Sequence, residues 1–279
     1  IPESGTTQII CAKSYTTSNN TFYLAVAATY SNYYVQFKLG STFVFGSTQK
    51  AGLITANQIN DGLFHHLAVA HYASGQTKIY IDGVLQSTNT GGNDKDYGIF
   101  SVGAYLYGNS SPTLDYNGAI GEISIWNGKM LDQPAIASIY NLGMPPALTS
   151  NLGNYTSSAD LSAWWRMGNG NEAGAGDTIY NLAGSGDGLN LTKFNDTEFK
   201  KVGPWAPDPE LTTFSTDAVD TGASGYGEIT DTNSPLYDLD YTDSFSCMVW
   251  WKPDASASTD RRIFGRVNAN SSTSKTMQW

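Results

Sequence analysis

Charged residues are scarce in this chain of 279 residues, at 14%, and acidic residues outnumber basic ones by 25 to 15. The net charge of -10 repels phosphate groups and anionic lipids, so we expect neither nucleic-acid binding nor membrane insertion. No apolar run approaches the roughly 18 residues that a membrane-spanning helix needs. An acidic surface that only keeps the protein soluble is the simplest interpretation of this charge.

Cysteine and histidine are also rare. Cys11 and Cys247 are too few for a disulfide framework and lack a C-x-x-C spacing, so we expect buried free thiols. All three histidines lie within residues 65–71, which leaves no Ser-His-Asp or Cys-His arrangement to build. His65 and His66 are adjacent in a strand-like run and would point to opposite faces, so we expect packing roles rather than a shared metal ion.

Glycine (29), tyrosine (17) and tryptophan (7) are frequent, a composition typical of turn-rich sheet. Apolar and polar residues alternate in short runs that end at small polar residues or glycine, as in 33–39 and 66–72. The run 78–81 leads into Asp82-Gly83, the signal for a type I′ hairpin. Many short strands at this spacing predict an all-β antiparallel sandwich of two sheets.

One short helix is predicted near the middle of the chain. Asp132 is the N-cap candidate and Pro134 lies in the first turn. Ile136, Ile139 and Tyr140 then share one face.

Several sequence blocks carry a resemblance to a known family. They are DGLFHHLAV (61–69) with KIYIDG (78–83), GAIGEISIWN (118–127), and AWWRMG (163–168) with DSFSCMVWWKP (243–253). Together they resemble laminin-G-like domains of the concanavalin A-like kind, with Phe64 where Trp is usual and Gly121 where Asp is usual. The resemblance implies a jelly-roll sandwich. The Trp-Trp strand followed by Met-Gly is similar, more narrowly, to tandem repeats in structural proteins of marine tailed phages.

The order of these blocks is unusual for one such domain. Residues 1–148 resemble the C-terminal part of a sandwich, residues 149–157 form a polar linker, and residues 158–279 resemble the N-terminal part of a following sandwich. Half a sandwich would expose unpaired edges and an open apolar face. We therefore expect the halves to pair, either within the chain as a permuted domain or between chains by strand exchange.

A weak internal repeat accompanies this order. Residues 253–279 read as a second copy of residues 2–26, with the segment 10–13 (ICAK) matching 263–266 (IFGR) at an offset of 253 residues. Because the chain starts at Ile1 without a signal peptide, we expect a processed product or part of a longer polypeptide.

Some members of this fold class are glucanases, and their catalytic motif resembles Glu-x-Asp-x-x-Glu. Comparing this chain with that motif tests whether it has catalytic acids. Here Glu122 keeps the first acid, but Ser124 and Asn127 replace the other two. A retaining glycosidase needs two carboxylates about 5–5.5 Å apart. We therefore predict no catalytic residues and no enzyme.

Calcium is the one ion that the sequence favours, since many laminin-G-like domains hold it on acidic loops. Asp94, Asp96 and Asp115 flank a predicted strand at 100–104 and are the candidate ligands. A second acidic set comprises Asp217, Asp220 and Asp231. The alternative is that all these aspartates are solvated turn residues, and no other cofactor is expected.

Aromatic side chains next to amides and acids suggest glycan binding. The candidates are Tyr105, Tyr107, Asn109 and Asp115 in a Gly/Asn/Ser-rich stretch, and Tyr30, Tyr33 and Tyr34 come second. The alternative is that these tyrosine rings pack on the sandwich and expose only their hydroxyl groups.

Two pairs of adjacent tryptophans, Trp164-Trp165 and Trp250-Trp251, are predicted to lie in the core and at an interface, with one ring of each pair facing outward against a neighbouring subunit.

The leading functional prediction is a non-enzymatic structural component of a virion or extracellular fibre that self-associates and contacts other virion or fibre proteins. The alternative is a calcium-assisted adhesion module that binds cell-surface glycans. Either function places the protein on a virion surface or outside the cell.

Overall fold

The computed structural model of the chain describes residues 7–14, 21–29, 32–39, 42–45, 63–92, 100–107, 111–113, 116, 118–167, 177–184, 189–194, 198–200, 218–220, 226–228, 244–253 and 262–267. Strands dominate these residues. In chain order the strands are β1 (Thr7–Ser14), β2 (Thr21–Thr29), β3 (Asn32–Leu39), β4 (Thr42–Phe45), β5 (His65–His71), β6 (Gln76–Ile81), β7 (Val84–Thr90), β8 (Phe100–Val102), β9 (Tyr105–Tyr107), β10 (Ser111–Thr113), β11 (Gly118–Asn127), β12 (Ala163–Trp165), β13 (Thr178–Ile179), β14 (Leu191–Phe194), β15 (Glu198–Lys200), β16 (Ala218–Asp220), β17 (Tyr226–Glu228), β18 (Phe245–Pro253) and β19 (Arg262–Val267). The helix α1 spans Gln133–Tyr140, and single 3-10 turns lie at Asn141–Gly143 and Ser158–Asp160.

The strands form two large sheets and one small hairpin. One sheet has the order β13-β14-β17-β8-β1-β19-β2-β3-β4, and the other has the order β15-β16-β11-β18-β5-β6-β7, with β12 also paired to β11. Strands β9 and β10 form the hairpin. Neighbouring strands are antiparallel except β1 and β19, which run parallel. The predicted all-β antiparallel sandwich with one short helix is confirmed.

Each sheet contains strands from both predicted halves of the chain. Strand β18 lies between β11 and β5 and pairs with both in antiparallel register. Val249 of β18 faces Ile123 on one side and Leu67 on the other. In the other sheet, β17 pairs with β8. In this single chain the two segments thus pair with each other. The boundaries at 148 and 158, and the choice between a permuted domain and strand exchange between chains, stay predictions.

The core between the sheets is built from alternate residues of these strands. Val69 and Val249 are buried in one apolar cluster with Phe37 and Phe100 of the opposite sheet. The rings of Phe100 and Trp165 stack with their centroids 5.7 Å apart, which joins the two sheets directly. Burial of such side chains provides roughly 25 cal/mol per Å² of apolar surface removed from water.

The second face of the β11–β18–β5 sheet is covered as well. Ala68, Trp126 and Met248 form a separate buried cluster with Ile136 and Ile139 of α1. Every residue of β5 is therefore buried, although its sequence alternates. The predicted helix is confirmed, including its N-cap.

The N-cap of α1 has the geometry expected from its sequence. The Asp132 Oδ1 atom accepts a hydrogen bond from the backbone N–H of Ala135 at 3.0 Å. Pro134 lies in the first turn, as predicted. The helix ends at Asn141, which has left-handed backbone angles.

The polar stretch 149–157 is an ordered part of this outer layer. Tyr155 is fully buried, and its hydroxyl group donates to the Leu148 carbonyl at 2.9 Å and accepts from Trp126 Nε1 at 3.3 Å. Burial raises the pKa of Tyr155 to about 12. The stretch connects the two segments, and Tyr155 anchors it to the sheet; its role as a linker between two domain parts stays a prediction.

Within the described ranges, no helix is both long and apolar enough to cross a membrane.

Candidate functional site

The turn between β6 and β7 determines the arrangement of the histidines. Asp82 and Gly83 both have positive φ, at 49° and 75°, and Ile81 pairs with Val84 across them. This is the predicted type I′ hairpin. A Cβ atom at Gly83 would lie 3.1 Å from the Tyr140 side chain and 3.3 Å from the Ala137 backbone. Glycine is thus required both for the turn and for the approach of α1.

Asp82 uses its carboxylate to hold the start of β5. Its Oδ2 atom lies 2.9 Å from Nδ1 of His65, and its Oδ1 atom accepts from the His66 backbone N–H at 2.8 Å. The Asp82 N–H donates in turn to the His66 carbonyl at 2.8 Å. These bonds use both carboxylate oxygens for structure.

His66 points to a different place from His65. Its ring stacks on Tyr140 with the centroids 5.9 Å apart, and the side chain is fully buried. Desolvation by this burial lowers the pKa of His66 to about 4, against a smaller opposing effect of the Asp82 charge. His66 is therefore neutral in the folded protein at pH 7.

The single surviving acid of the glucanase-like motif, Glu122, is buried on the outer face of the sheet. Its side chain is 3% exposed. The Oε1 atom accepts from Arg166 Nε at 3.0 Å, and Oε2 accepts from Trp164 Nε1 at 3.1 Å. The Arg166 guanidinium also lies 5.2 Å from the centroid of the Trp164 ring.

This arrangement leaves the Glu122 carboxylate unavailable as a catalytic group. A carboxylate with both oxygens committed to buried donors cannot accept a proton from substrate or attack a sugar carbon. Ser124, two residues further along β11, is buried, and the Asn127 backbone N–H is bound by Ser162 Oγ at 2.9 Å. The geometry agrees with the sequence argument that this motif does not form a glycosidase pair.

The sequence did not point to Arg166 as the partner of Glu122. The two residues lie 44 positions apart, and β12 brings them together by pairing with β11, with Trp165 opposite Ile123. A basic residue directly after two tryptophans in a strand-like run was the available signal, because a buried cation requires a buried anion.

The predicted calcium ligands Asp94, Asp96 and Asp115 lie outside the described residues, as do Asp217 and Asp231. Among the residues that the structure describes, no group of three or more His, Cys, Asp or Glu side chains is arranged to hold a metal ion. Asp220 lies in β16, opposite Ala119 and Glu198. Calcium binding by the first set stays a prediction.

The predicted glycan-binding tyrosines are partly described. Tyr105 and Tyr107 are alternate residues of β9, opposite Thr113 and Ser111 of β10. Asn109 and Asp115 lie outside the described residues. In the second set, Tyr33 and Tyr34 belong to β3, whereas Tyr30 is not described.

The structure describes the side chains of one of the two tryptophan pairs, and an interface role for the other pair stays a prediction. Trp165 lies in the core between the sheets and Trp164 lies in the outer cluster, and both are buried within this one chain. The outward ring, that of Trp164, belongs to the same buried cluster as Ile136 and Ile139 of α1. Trp250 and Trp251 occupy β18 opposite His66 and His65, and their side chains lie outside the description.

Of the two cysteines, Cys247 is a buried free thiol, as predicted.

A cleft of about 500 Å³ opens beside the 3-10 turn at Ser158–Asp160. It is lined by Thr149, Ser158, Ala159, Leu161, Leu182 and Gly184. The lining contains neither an aromatic platform nor a charged side chain, so it does not have the chemistry of a sugar site.

Comparison with known proteins agrees with the fold. Residues 2–137 match the laminin G model described as the concanavalin A-like lectin/glucanases superfamily. This part of the chain is similar to that superfamily, and the structure is a concanavalin A-like β-sandwich. No curated protein and no solved structure matches the chain.

We predict that Glu122→Gln destabilises the protein by about 3–5 kcal/mol, because it leaves the buried Arg166 cation without its anion. The double variant Glu122→Gln/Arg166→Met should be closer to the wild type than the sum of the two single variants. Urea unfolding of the four proteins measures this coupling. Strictly additive effects would contradict the ion pair, and β-glucan cleavage that Glu122→Gln abolishes would contradict its structural role.

A second prediction concerns the loss of stability of the folded protein at acidic pH. The unfolded chain takes up a proton at His66 near pH 6.5, whereas the folded protein does so only near pH 4, so the unfolded state binds more protons between these values. Stability should therefore fall by up to about 3 kcal/mol as the pH drops from 6.5 to 4. Unfolding free energies of wild type and His66→Phe at pH 4, 5, 6 and 7 test this. The variant should lose that part of the pH dependence, and identical slopes would refute it.

Proposed function

We propose that the chain is a non-enzymatic structural module of a virion or extracellular fibre, assembled from laminin-G-like sandwiches. The observation that carries this proposal is the complementarity of its two segments. Strand β18 of the second segment fills the gap between β11 and β5 of the first. The second segment completes the sandwich that the first segment begins. The second segment of one copy can complete the first segment of a neighbouring copy in the same way.

Such complementarity is a general route to assembly. An element that completes a fold within one chain completes the same fold in an identical neighbour with the same contacts, so exchange costs little beyond the entropy of association. The internal repeat between residues 2–26 and 253–279 supports a module made for tandem arrangement.

The chemistry of the described residues supports a structural role. Glu122 and Asp82 each use both carboxylate oxygens to bind protein groups. The superfamily whose model matches residues 2–137 contains lectins as well as glucanases, so the fold alone does not assign a reaction. We infer that the protein is not an enzyme.

The assembly proposal predicts masses above that of a single chain. Light scattering across a hundredfold range of concentration should give multiples of 30.0 kDa that grow with concentration. Refolding a mixture of two differently tagged chains should yield complexes that carry both tags, while the same chains mixed after folding serve as the control. A monodisperse 30.0 kDa particle at every concentration would overturn the proposal.

A second candidate function, calcium-assisted glycan binding in adhesion, is favoured by the β9–β10 hairpin. Tyr105 and Tyr107 occupy alternate positions of β9, which lie on one face of a strand, and hydroxyl residues Thr113 and Ser111 stand opposite. Aromatic residues together with a few polar residues are the residue types that ligand sites use. We propose Asn109 and Asp115 as their polar partners, and Asp94, Asp96 and Asp115 as the calcium ligands.

Glycan-array binding tests this second function. Tyr105→Ala or Tyr107→Ala should weaken binding at least about tenfold, equivalent to about 1.4 kcal/mol. Tyr180→Ala, at an exposed tyrosine elsewhere, is the matched control and should bind normally. A calcium chelator should weaken binding of the wild type, and calcium should restore it. Equal binding by all three variants, or silence across a broad array, would contradict a glycan role for this hairpin.

A further inference from the structure

One leucine on the surface combines two properties that each cost stability. Leu142 follows the Asn141 cap of α1, and its side chain is 90% exposed to solvent. Its backbone is in the left-handed region, at φ 53° and ψ 33°. A bulky side chain is an outlier in that region, whereas the residue types of its neighbours Asn141 and Gly143 tolerate positive φ. The fold of one chain gains nothing from a leucine at this position.

The other side-chain-bearing residues with positive φ in the described ranges have reasons within the fold. Asp82 forms the type I′ turn, Asn141 caps α1, and the Met167 side chain is buried in the core between the sheets. Of these four residues, only Leu142 combines the unfavourable backbone with an apolar side chain in solvent. Such strain is concentrated at functional sites in proteins, which makes Leu142 a candidate contact residue.

The cleft beside the 3-10 turn at Ser158–Asp160 has the complementary chemistry. Its apolar lining comes from Ala159, Leu161 and Leu182, and its volume of about 500 Å³ accommodates a leucine side chain. A Cβ atom built on Gly184, another lining residue, meets nothing within 4 Å, so this wall of the cleft faces open space. A leucine side chain seated there would remove apolar surface from water on both partners.

Leu142 and the cleft lie on the same face of the β11–β18–β5 sheet. Leu161 belongs to the buried cluster on that face that also contains Ile139 of α1, and Leu182 packs against this cluster. Leu142 comes two residues after the end of α1. A twofold axis places the same surface on both sides of an interface, so two copies can each insert Leu142 into the cleft of the other.

The distribution of charge favours this surface as the place where two copies meet. With a net charge of -10, two copies of the chain repel each other. Residues 133–159 include α1, Leu142 and part of the cleft lining, and they form the longest stretch of the sequence without a charged residue. The next residue, Asp160, is paired with Lys129 at 3.5 Å. Two copies that approach through this segment therefore bring few like charges together.

We propose that this face is an interface between two folded copies of the chain, with Leu142 of each copy seated in the cleft of the other. Burial in the pair offsets the unfavourable backbone and the exposure of Leu142 in the single chain. The inference rests on the proposed assembly function, for which it names the contact surface and the partner. The copies pair without exchange of strands, so folded chains associate on mixing.

A substitution at Leu142 tests whether this residue serves the fold or the contact. Asparagine tolerates both left-handed backbone and exposure, so Leu142→Asn should lower the equilibrium constant of unfolding several-fold in urea, at a dilution where the chains are monomeric. In sedimentation velocity of folded chains, the same variant should lose association. Leu142→Met keeps an apolar side chain of similar size and should still associate. Easier unfolding of Leu142→Asn would indicate a structural role and overturn the proposal.

A second substitution fills the cleft from its own wall. Gly184 does not have positive φ and has open space at its Cβ position, so Gly184→Phe places a ring at the cleft without backbone strain. It should weaken association of folded chains at least about tenfold, because the cleft no longer admits a leucine side chain. Gly184→Ser leaves the cleft open and is the matched control. Undiminished association of the phenylalanine variant would contradict the proposed contact.

Mixing the two folded variants tests the pairing of Leu142 with the cleft directly. Leu142→Asn keeps the cleft and Gly184→Phe keeps the leucine, so neither variant pairs with itself. A mixture of the two has one intact contact and should form mixed pairs that are weaker than those of the wild type. Fluorescence energy transfer between differently labelled folded chains measures these pairs. A mixture that associates no better than either variant alone would overturn the pairing.

The outcomes separate this interface from assembly by strand exchange. Wild-type chains that stay monomeric after both mixing and refolding would overturn assembly together with the interface. Complexes that form equally in the wild type and in Leu142→Asn would leave assembly standing and overturn the interface. Association that is lost in Gly184→Phe but kept in Leu142→Asn would assign the cleft to a different occupant and would likewise overturn the proposal.

Discussion

Strand β18 is hydrogen-bonded on both sides, to β11 and to β5, and the rest of the sandwich depends on that double pairing. Without it, two strands of buried residues would present unpaired N–H and C=O groups along their full lengths, at a cost that packing could not offset. With it, Val249 faces the core between the sheets and Met248 faces the helix layer. The strand belongs to the second segment of the chain and its two neighbours to the first, so neither segment completes a sheet alone.

The polar groups buried around this sheet serve the same end. The Ser246 hydroxyl of β18 accepts from the Leu131 backbone N–H at 2.8 Å, which ties the strand to the loop before α1. Glu122 and Arg166 join β11 to the residue that follows β12 in the same manner. Breaking such buried pairs is expensive, whereas their net contribution to stability is modest, so they act mainly to select one arrangement of strands. Acidic and basic groups that would be candidates for chemistry are thereby used to fix the fold, in keeping with a module whose function is assembly or surface recognition.

Local patterns in the sequence predicted the elements well, because their causes are local. Alternation gave the strands, Asp82-Gly83 gave the type I′ turn, and Asp132 with Pro134 gave the start of α1. The partner of Glu122 could not be predicted, because it depends on which strands become neighbours across more than forty residues. The burial of Tyr155 could not be predicted either, because it depends on the helix layer over the second face of a sheet. The repeat at an offset of 253 residues was visible in the sequence, but only the structure showed that β1 and β19 pair side by side in parallel. The predicted calcium ligands Asp94, Asp96 and Asp115, and Asn109 of the glycan-binding set, lie outside the described residues, and both kinds of binding stay predictions.

The account rests on the insertion of β18 between strands of the first segment of the same chain. Methyl nuclear Overhauser effects in dilute, monomeric protein measure this directly. The side chain of Val249 should show contacts to both Leu67 and Ile123, its partners in register on the two neighbouring strands. The same contacts between two different chains, measured by isotope filtering in a mixture of labelled and unlabelled chains at the same dilution, should be absent. Two separate sets of contacts, one within each segment and none from Val249 to Leu67 or Ile123, would contradict the account.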